Sequence, residues 1–353
     1  MNGLREHLLR RITANGPITL ADYMSECLLH PKSGYYATRD PLGAAGDFIT
    51  APEVSQMFGE LIGLSLAQNW MDQGAPTPFI LAEAGPGRGT LMADVLRATR
   101  TIPGFHDAME LHLIEISEPL KLRQRQTIAR GDITWHDNLS SLPDLPLFLI
   151  ANEFFDALPI RQFQRDGNSW RERQVGILEE DLALGLSDPM APSQLEHRLE
   201  DTKPGDIVEF CPSGALAAEV IGAHITQQGG SALIVDYGDW RSLGDTFQAL
   251  ERHVPVDPLA NPGQADLTAH VDFEALARAT PSRYSRLTPQ GVFLERLGIT
   301  ARAQVLAKNL TGDALQSHLA AHRRLTQAEE MGTLFKVLSF YPDGASPPPG
   351  LEP

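Results

Sequence analysis

The stretch that decides the fold runs Phe79-Ile80-Leu81-Ala82-Glu83-Ala84-Gly85-Pro86-Gly87-Arg88-Gly89-Thr90. Its first four residues are apolar and predict a short buried strand, and residues 90–99 show the apolar spacing of a helix. Three glycines between the two let the chain turn sharply, and the N–H groups at the start of the helix face whatever lies in that turn. The stretch therefore predicts a strand, a ligand-binding loop and a helix.

The chemistry of this loop favours a cationic ligand. Its glycines follow the spacing GxGxG rather than the GxGxxG of dinucleotide sites, and the acidic residue, Glu83, comes before them. Pro86 stiffens the turn. A tight strand-to-helix turn that binds nothing is the alternative, because a glycine-rich turn alone is a weak signal.

The same alternation of strands and helices continues along the chain. Apolar runs predict strands at 111–116, 133–135, 147–151 and 232–235, helices at 119–129 and 273–279, and a late β-rich segment at 334–340. Parallel strands joined by right-handed helical crossovers form a sheet with helices on both faces. We expect an α/β fold with a doubly wound, mostly parallel sheet.

Changes in sequence character divide the chain. Residues 1–75 predict an N-terminal helical module, since the helical segments there are broken by glycine and proline. Residues 76–340 carry the sheet domain, with an insertion at about 160–230 whose alternating segments favour antiparallel strands. The proline-rich residues 341–353 predict a disordered tail.

Composition excludes several classes of protein. The chain has 353 residues and a formal net charge of −16, which argues against a protein that coats nucleic acid with clustered lysine and arginine. No window has the ~18 consecutive apolar residues that a membrane span requires. Cys27 and Cys211 lie far apart without a zinc-binding pattern, so neither a metal site nor a disulfide framework is expected. The cytoplasm is the expected compartment, and the N-terminal arginines are expected on a surface helix rather than in a transit peptide.

Further ligand groups are expected where the other strands end, because ligands of open α/β sheets bind outside the carboxyl ends of the strands. Glu115 ends the second strand and is placed to accept hydrogen bonds from both hydroxyls of a ribose. The alternative is a carboxylate that caps the next helix, although Ser117 already offers that cap. The predicted cofactor contacts are Glu83, Gly85, Pro86, Gly87, Gly89, Thr90, Glu115, Asp137, Asn138 and Asn152.

The loop after the fourth strand carries the candidate catalytic residues Asn152, Glu153 and Asp156. A methyl transfer depends mainly on holding donor and acceptor in line. If the acceptor is the guanidinium of an arginine, carboxylates are needed to hold it and to favour the loss of its proton. Glu153 and Asp156 are candidates for this role, and loop carboxylates that only cap a helix are the alternative. His253 and His270 lack metal-ligand spacing and are expected to be structural.

Several segments resemble the MidA-like family of S-adenosylmethionine-dependent methyltransferases: 46–60, the turn at 85–90, 152–159 and 266–273. The resemblance implies a class I methyltransferase fold, S-adenosylmethionine as the cofactor and an arginine of a partner protein as the acceptor. The family includes a mitochondrial assembly factor that methylates an arginine of a respiratory complex I subunit. The resemblance therefore implies a complex I subunit as the protein substrate of this chain, a bacterial relative.

Two departures limit how far residue roles can be carried over from relatives. Family members commonly have a larger aliphatic residue where Ala84 stands, and the chain lacks the paired-glutamate loop of the main arginine methyltransferase family. The acceptor role of Glu153 is therefore a hypothesis from the residues themselves. Residues 46–60 combine a glycine-hinged turn with a helix start near Thr50, which predicts either a lid over the cofactor or a plain packing role.

Two rival functions fit parts of the sequence. A NAD-dependent oxidoreductase conflicts with the GxGxG spacing and with the lack of a second nucleotide-binding half. A complex I assembly chaperone with a vestigial donor site would bind S-adenosylmethionine without forming a methylated product. Assembly as a homodimer is a further prediction.

Overall fold

The computed structural model describes residues 3–38, 50–251 and 254–353, which belong to two compact units. The sheet unit comprises Ile49–Phe155, Leu216–Trp240 and Leu276–Pro353. The second unit comprises Met1–Phe48, Asp156–Ala215 and Arg241–Ala275. Each unit is therefore assembled from three separate segments of the chain.

The sheet unit is built on a twisted central sheet. Its main strands are β1 (Phe79–Ala84), β2 (Met109–Ile114), β3 (Ile133–His136), β4 (Leu147–Asn152), β5 (Gly230–Asp239) and β6 (Phe335–Tyr341). They lie in the order β3-β2-β1-β4-β5-β6, with β1 to β5 parallel and β6 antiparallel to β5. The short strands Arg283–Tyr284 and Thr288–Pro289 pair with β6. The predicted α/β fold with a mostly parallel sheet is confirmed.

Helices pack against this sheet and close its core. They are Ala51–Val54, Gln56–Asp72, Thr90–Thr99, Phe105–Ala108, Glu118–Ile128, Gln290–Arg296, Ile299–Ala307 and Gly312–Thr326, together with most of Pro212–Gln228 and the end of Phe273–Ala279. Short irregular helical turns lie at Leu139–Ser141 and Ala328–Gly332. The helices Gln56–Asp72 and Thr90–Thr99 pack closely at Gly63, where a Cβ would lie 2.9 Å from the Cα of Val95. The absence of a side chain lets two helices approach each other.

The order of the strands reverses between β1 and β4. From β1 the chain moves outward through β2 and β3 on one side, and β4 and β5 lie on the other side. Ligands of such sheets bind outside the carboxyl ends of the strands at the point where the order reverses. The loops that begin at Gly85 and Glu153 follow the two strands at this point.

The second unit is formed mainly by antiparallel strands and N-terminal helices. Its helices are Gly3–Asn15, Leu20–Leu29 and Tyr35–Thr38, with a 3-10 segment at Ser193–Leu199. One antiparallel sheet contains Ile18–Thr19, Arg161–Asp166, Ser169–Leu178, Asp181–Leu186 and Ile207–Phe210, and another contains Gln248–Glu251, Val254–Val256 and Asp266–Thr268. The antiparallel strands that the sequence predicts within 160–230 are thus present.

The division of the chain differs from the predicted one. Met1–Phe48 share the second unit with Asp156–Ala215 and Arg241–Ala275, whereas residues 216–230 of the predicted insertion belong to the sheet unit. The helix Gln56–Asp72 belongs to the sheet unit rather than to an N-terminal module, because its apolar side chains join the core of that unit. The tail at 341–353 was predicted to be disordered, but its prolines Pro347 and Pro348 are buried, and Ser65 Oγ donates a hydrogen bond to the carbonyl of Pro349 at 2.8 Å. Proline content indicated disorder, whereas burial of these rings fixes the tail. Within the described residues, no helix has the length and apolar character needed to cross a membrane.

Candidate functional site

The glycine-rich loop after β1 requires its glycines. Gly85, Gly87 and Gly89 have φ values of 66°, 51° and 82°, in the left-handed region that other residues rarely adopt. The N–H of Gly89 donates to the carbonyl of Pro86 at 2.7 Å and closes the turn. A Cβ on Gly85 would also lie 2.9 Å from Cδ2 of Phe154. The loop is therefore held as a tight turn that begins where β1 ends.

Glu83 places a buried carboxyl group beneath this loop. Its side chain is 3% exposed, and it accepts a hydrogen bond from the backbone N–H of Met92 in the first turn of the following helix. Among the described residues, its Oε2 atom has no hydrogen-bond partner. Burial raises the pKa of Glu83 to about 8. A nearby cation would favour the ionised form, so the group suits a positively charged ligand.

Glu115 lies directly after β2 and is also buried. Its Oε1 accepts from the backbone N–H of Ser117 at 2.8 Å, and its Oε2 accepts from Nε2 of Gln124 at 3.1 Å. Burial raises the pKa of Glu115, and the hydrogen bonds from Ser117 and Gln124 oppose that rise. The alternative of a carboxylate that caps the next helix is thus partly realised. A carboxylate offers about four acceptor positions, so Glu115 can still accept from a ribose.

Gln124 is a site residue that the sequence did not identify. Its side chain is fully buried, and its Nε2 donates to the carbonyl of Gly87 at 2.8 Å as well as to Glu115. Its Oε1 accepts from Nε1 of Trp135 at 2.7 Å. The signal in the sequence was a polar residue midway between Leu120 and Ile128, on the buried face of a helix.

The turn after β4 holds Glu153 in an unusual backbone conformation. Glu153 has a φ of 50°, which is uncommon for a residue with a side chain and is frequent at functional sites. Its Oε1 accepts from Nδ2 of Asn152 at 3.1 Å and from the backbone N–H of Ala51 at 3.1 Å. Among the described residues, the buried Oδ1 of Asn152 has no hydrogen-bond partner. Two polar side chains therefore lie together at the carboxyl end of β4.

Strand β5 fixes this turn from the other side. The N–H of Glu153 donates to the carbonyl of Val235 at 2.9 Å, and the N–H of Phe155 donates to Oδ2 of Asp236 at 3.0 Å. Asp236 is fully buried, and its Oδ1 accepts from the N–H of Tyr237 at 2.9 Å. The carboxylate of Asp236 thus supports the backbone that carries Glu153.

The described part of the segment 46–60, for which the sequence predicts either a lid or a packing role, contacts the helix after the glycine-rich loop and the turn after β4. Residues 46–49 of that segment lie outside the described residues, and the remainder forms the helix Ala51–Val54 and the start of the next helix. Ala51 donates to Glu153, and Oε1 of Glu53 accepts from the hydroxyl of Thr90 at 2.6 Å. The helix Ala51–Val54 is therefore joined to the glycine-rich loop and to the turn after β4.

Three further predicted site residues follow β3 and the turn after β4. Asp137 and Asn138 follow the edge strand β3 and are exposed, and Asp137 pairs with Nζ of Lys121 at 3.3 Å. Asp156 is a buried residue of the second unit, where its charge helps to raise the pKa of Tyr36, after the larger effect of burial. The roles of Asp137, Asn138 and Asp156 stay predictions.

Two histidines, His253 and His270, lie in the predicted acceptor region. His253 lies outside the described residues. The backbone N–H of His270 donates to Oγ1 of Thr246 at 2.8 Å within the second unit. The expectation that they are structural stays a prediction.

The groups gathered at β1, β2 and β4 match the chemistry of S-adenosylmethionine. That molecule carries an ammonium, a sulfonium, a carboxylate and an adenosine with two ribose hydroxyls. The buried Oε2 of Glu83 and Oδ1 of Asn152 are acceptors without partners among the described residues, and Glu115 retains acceptor capacity. The glycine-rich loop offers close backbone approach. The residues present therefore fit this cofactor.

Comparison with known proteins gives the same assignment. A family model described as "Putative S-adenosyl-L-methionine-dependent methyltransferase" matches residues 61–292. The chain is 36% identical over 380 residues to the protein arginine methyltransferase NDUFAF7, mitochondrial, of Xenopus tropicalis, covering 97% of this chain and 86% of that protein. It is also 36% identical over 366 residues to the human protein of the same name, covering 95% and 82% respectively.

A solved structure resembles the whole chain. A crystal structure of a protein from Burkholderia thailandensis, bound to S-adenosyl-homocysteine, aligns with a TM-score of 0.82 and 28% identity. The alignment covers 97% of this chain and 93% of that one. S-adenosyl-homocysteine is the product that remains after S-adenosylmethionine has given up its methyl group.

Proposed function

The chain belongs to this family of S-adenosyl-L-methionine-dependent methyltransferases, and we propose that it transfers the methyl group to an arginine of a partner protein. The name of the relatives supports an arginine acceptor, since they match 95% or more of the chain at 36% identity. The observation that carries the proposal is the position of Glu153 at the carboxyl end of β4. Its backbone has a φ of 50°, and its carboxylate accepts a hydrogen bond from Asn152.

We propose that the donor is held at the ends of β1 and β2. Glu83 would bind the cationic end, because its buried carboxyl group lacks a partner at Oε2 among the described residues. Glu115 would accept from the ribose hydroxyls. The full proposed set is Glu83, Gly85, Pro86, Gly87, Gly89, Thr90, Glu115, Asp137, Asn138 and Asn152. When bound, S-adenosylmethionine supplies an electrophilic methyl group on a sulfonium.

Glu153 would act on the acceptor. A guanidinium stays protonated at any ordinary pH, and a carboxylate can hold it through charge-assisted hydrogen bonds. Such a pair orients the guanidinium, and the carboxylate can accept the proton that the attacking nitrogen loses as the N–CH3 bond forms and the methyl–sulfur bond breaks. Asn152 holds the carboxylate in place through its hydrogen bond to Oε1. Asp156 is proposed as a second acceptor carboxylate from its sequence position alone.

The partner and compartment are parts of the same proposal. We propose a subunit of respiratory complex I as the protein substrate, a cytoplasmic location and a homodimer. Light scattering would test the last of these, with a single species of the monomer mass as the contradicting result. The relatives are mitochondrial by name, and that location is a statement about them.

The acceptor can be found by comparing proteomes. Cells that contain the protein and cells that lack it are digested, and methylated arginine peptides are quantified by mass spectrometry. We expect at least one methylarginine site to be lost without the protein and restored by the wild-type chain. If no arginine site changes while another methylated residue does, the arginine acceptor is wrong.

A further inference from the structure

We propose that Gln124 is a positioning residue of the donor site, where its amide orients both the Glu115 carboxylate and the Gly87 carbonyl. This inference rests on the proposed donor site and adds a residue that donates hydrogen bonds to two of its members, Gly87 and Glu115. Gln124 lies in the middle of the helix Glu118–Ile128, behind the glycine-rich loop.

The three hydrogen bonds of Gln124 leave its amide one orientation. Nε2 donates one hydrogen to the carbonyl of Gly87 at 2.8 Å and one to Oε2 of Glu115 at 3.1 Å. Oε1 accepts from Nε1 of Trp135 at 2.7 Å. An indole N–H can only donate, and a carbonyl or carboxylate oxygen can only accept. A flipped amide would therefore lose all three bonds.

This arrangement acts on two parts of the donor site at once. Fixing the Gly87 carbonyl also fixes the plane of the peptide between Gly87 and Arg88, because that unit is rigid. Fixing Oε2 of Glu115 restricts the rotamer of the carboxylate and opposes the effect of burial on its pKa, since a donated hydrogen bond favours the charged form. An ionised, oriented Glu115 is the form that would accept from both ribose hydroxyls.

A purely structural role for Gln124 is the competing explanation. The helix that carries it packs closely on the loop, since a Cβ on Gly89 would lie 3.1 Å from Cγ1 of Ile128 and 3.3 Å from Cα of Gln124. In that case substitutions would lower thermal stability without changing the affinity of folded protein for the donor. The two roles differ in ligand affinity and in its pH dependence.

The test uses S-adenosyl-homocysteine as the probe, with affinity measured by calorimetry well below the melting temperature. Gln124→Met keeps the length of the side chain and removes its hydrogen bonds, and Gln124→Glu keeps the shape but removes the donors. We expect each to weaken binding by about tenfold or more at neutral pH, equal to ~1.4 kcal/mol. The matched control is Gln126→Glu on the exposed side of the same helix, which should change affinity less than twofold.

Lowering the pH should restore binding in one variant only. In Gln124→Glu, the introduced carboxyl group can donate to Glu115 once it is protonated. As the pH is lowered from about 8 to about 5.5, the affinity of this variant should therefore rise relative to that of wild type. Gln124→Met should show no such recovery. In the double variant Glu115→Ala/Gln124→Met, the loss should be clearly smaller than the product of the two single losses.

The outcomes separate the inference from the proposed donor site. If folded Gln124→Met and Gln124→Glu bind the probe within twofold of wild type, Gln124 is only structural. If Glu115→Ala also binds like wild type, the proposed donor site is wrong as well. Should the Gln124 variants fail to fold, Trp135→Phe removes the donor to Oε1 while keeping an aromatic ring. We expect it to weaken binding about threefold, and an unchanged affinity would overturn the inference.

Discussion

Oε1 of Glu153 lies 3.1 Å from the backbone nitrogen of Ala51, although 102 residues separate the two in the chain. The helix that begins at Ala51 also carries Glu53, whose carboxylate accepts from the hydroxyl of Thr90 at 2.6 Å. One short helix therefore joins the proposed acceptor carboxylate to the helix that follows the glycine-rich loop. This link implies that the positions of Thr90 and Glu153 depend on each other.

The bridge between Glu53 and Thr90 can be tested by a double-mutant cycle. Glu53→Gln and Thr90→Val each weaken or remove one hydrogen bond to a charged group, which contributes roughly 1.5–3 kcal/mol. We expect each change to lower the free energy of unfolding by about 1–2 kcal/mol, and the double variant to lose clearly less than the sum. Denaturant titration measures all four proteins, and strictly additive losses would show that the two side chains do not interact.

Gly87→Val should abolish binding of S-adenosylmethionine. Gly87 has a φ of 51°, and a branched side chain there would strain the turn and occupy the space in which a ligand meets the backbone. The control is Gly167→Val, where φ is 58° and a Cβ would have no atom within 4 Å. Calorimetry should show no binding for the first variant and wild-type affinity for the second. Unchanged affinity in Gly87→Val would move the donor site away from this loop.

Glu115→Ala should weaken S-adenosylmethionine binding at least about tenfold. It removes the acceptor of two charge-assisted hydrogen bonds, at ~1.5–3 kcal/mol each. Glu110→Ala is the matched control, because Glu110 is an exposed glutamate of the same strand. A change of less than twofold in Glu115→Ala would remove Glu115 from the site.

Glu83 should make the stability of the ligand-free protein depend on pH. Burial raises the pKa of Glu83 to about 8 from an ordinary value of 4.5, so the folded chain keeps a proton that the unfolded chain loses. The stabilisation is fully present below the unfolded pKa and is lost as the pH rises through the folded one. As the pH rises from about 5 to about 8, the free energy of unfolding should therefore fall less in Glu83→Gln than in wild type. Parallel curves from denaturant titration would contradict the shifted pKa.

The same residue predicts how binding responds to pH. If a cation of S-adenosylmethionine pairs with ionised Glu83, binding releases the proton that the ligand-free protein holds near neutral pH. Calorimetry in buffers with different ionisation enthalpies should then detect proton release in wild type and less of it in Glu83→Gln. Equal proton release in the two proteins would place the cation elsewhere.

Local signals predicted the central sheet well. The apolar runs before Gly85 and at β4 and β5 are buried strands, because an apolar run bounded by turn residues has few other stable environments. The assignment of residues 56–72 failed for a physical reason: which core a helix joins depends on distant contacts such as that of Gly63 with Val95. The prediction that residues 341–353 are disordered was wrong for a similar reason. The residues that hold this tail in place lie far away in the sequence, as the hydrogen bond from Ser65 to Pro349 shows.

The candidate site was predicted only where it follows strand ends. Glu83, Glu115 and Glu153 all stand at the ends of strands, so their positions could be inferred from the fold class. The contacts of Gln124 could not be inferred, because its partners at 87, 115 and 135 come together only in the folded chain. The positive φ of Glu153 is equally invisible in the sequence, since glutamate does not mark that conformation.

The most direct measurement compares the rates at which wild type and Glu153→Gln transfer labelled methyl groups from S-adenosylmethionine to protein arginine. The acceptor is an extract of cells from which this protein has been deleted. Glutamine keeps an acceptor for the N–H of Ala51 but loses the charge that would hold a guanidinium. We expect wild type to form labelled methylarginine and Glu153→Gln to form it about 100-fold more slowly or worse, a loss of ~2.7 kcal/mol or more, with donor affinity within about twofold of wild type. Wild-type rates of methylarginine formation by Glu153→Gln, or no methylarginine from wild type with bound donor, would contradict the proposed function.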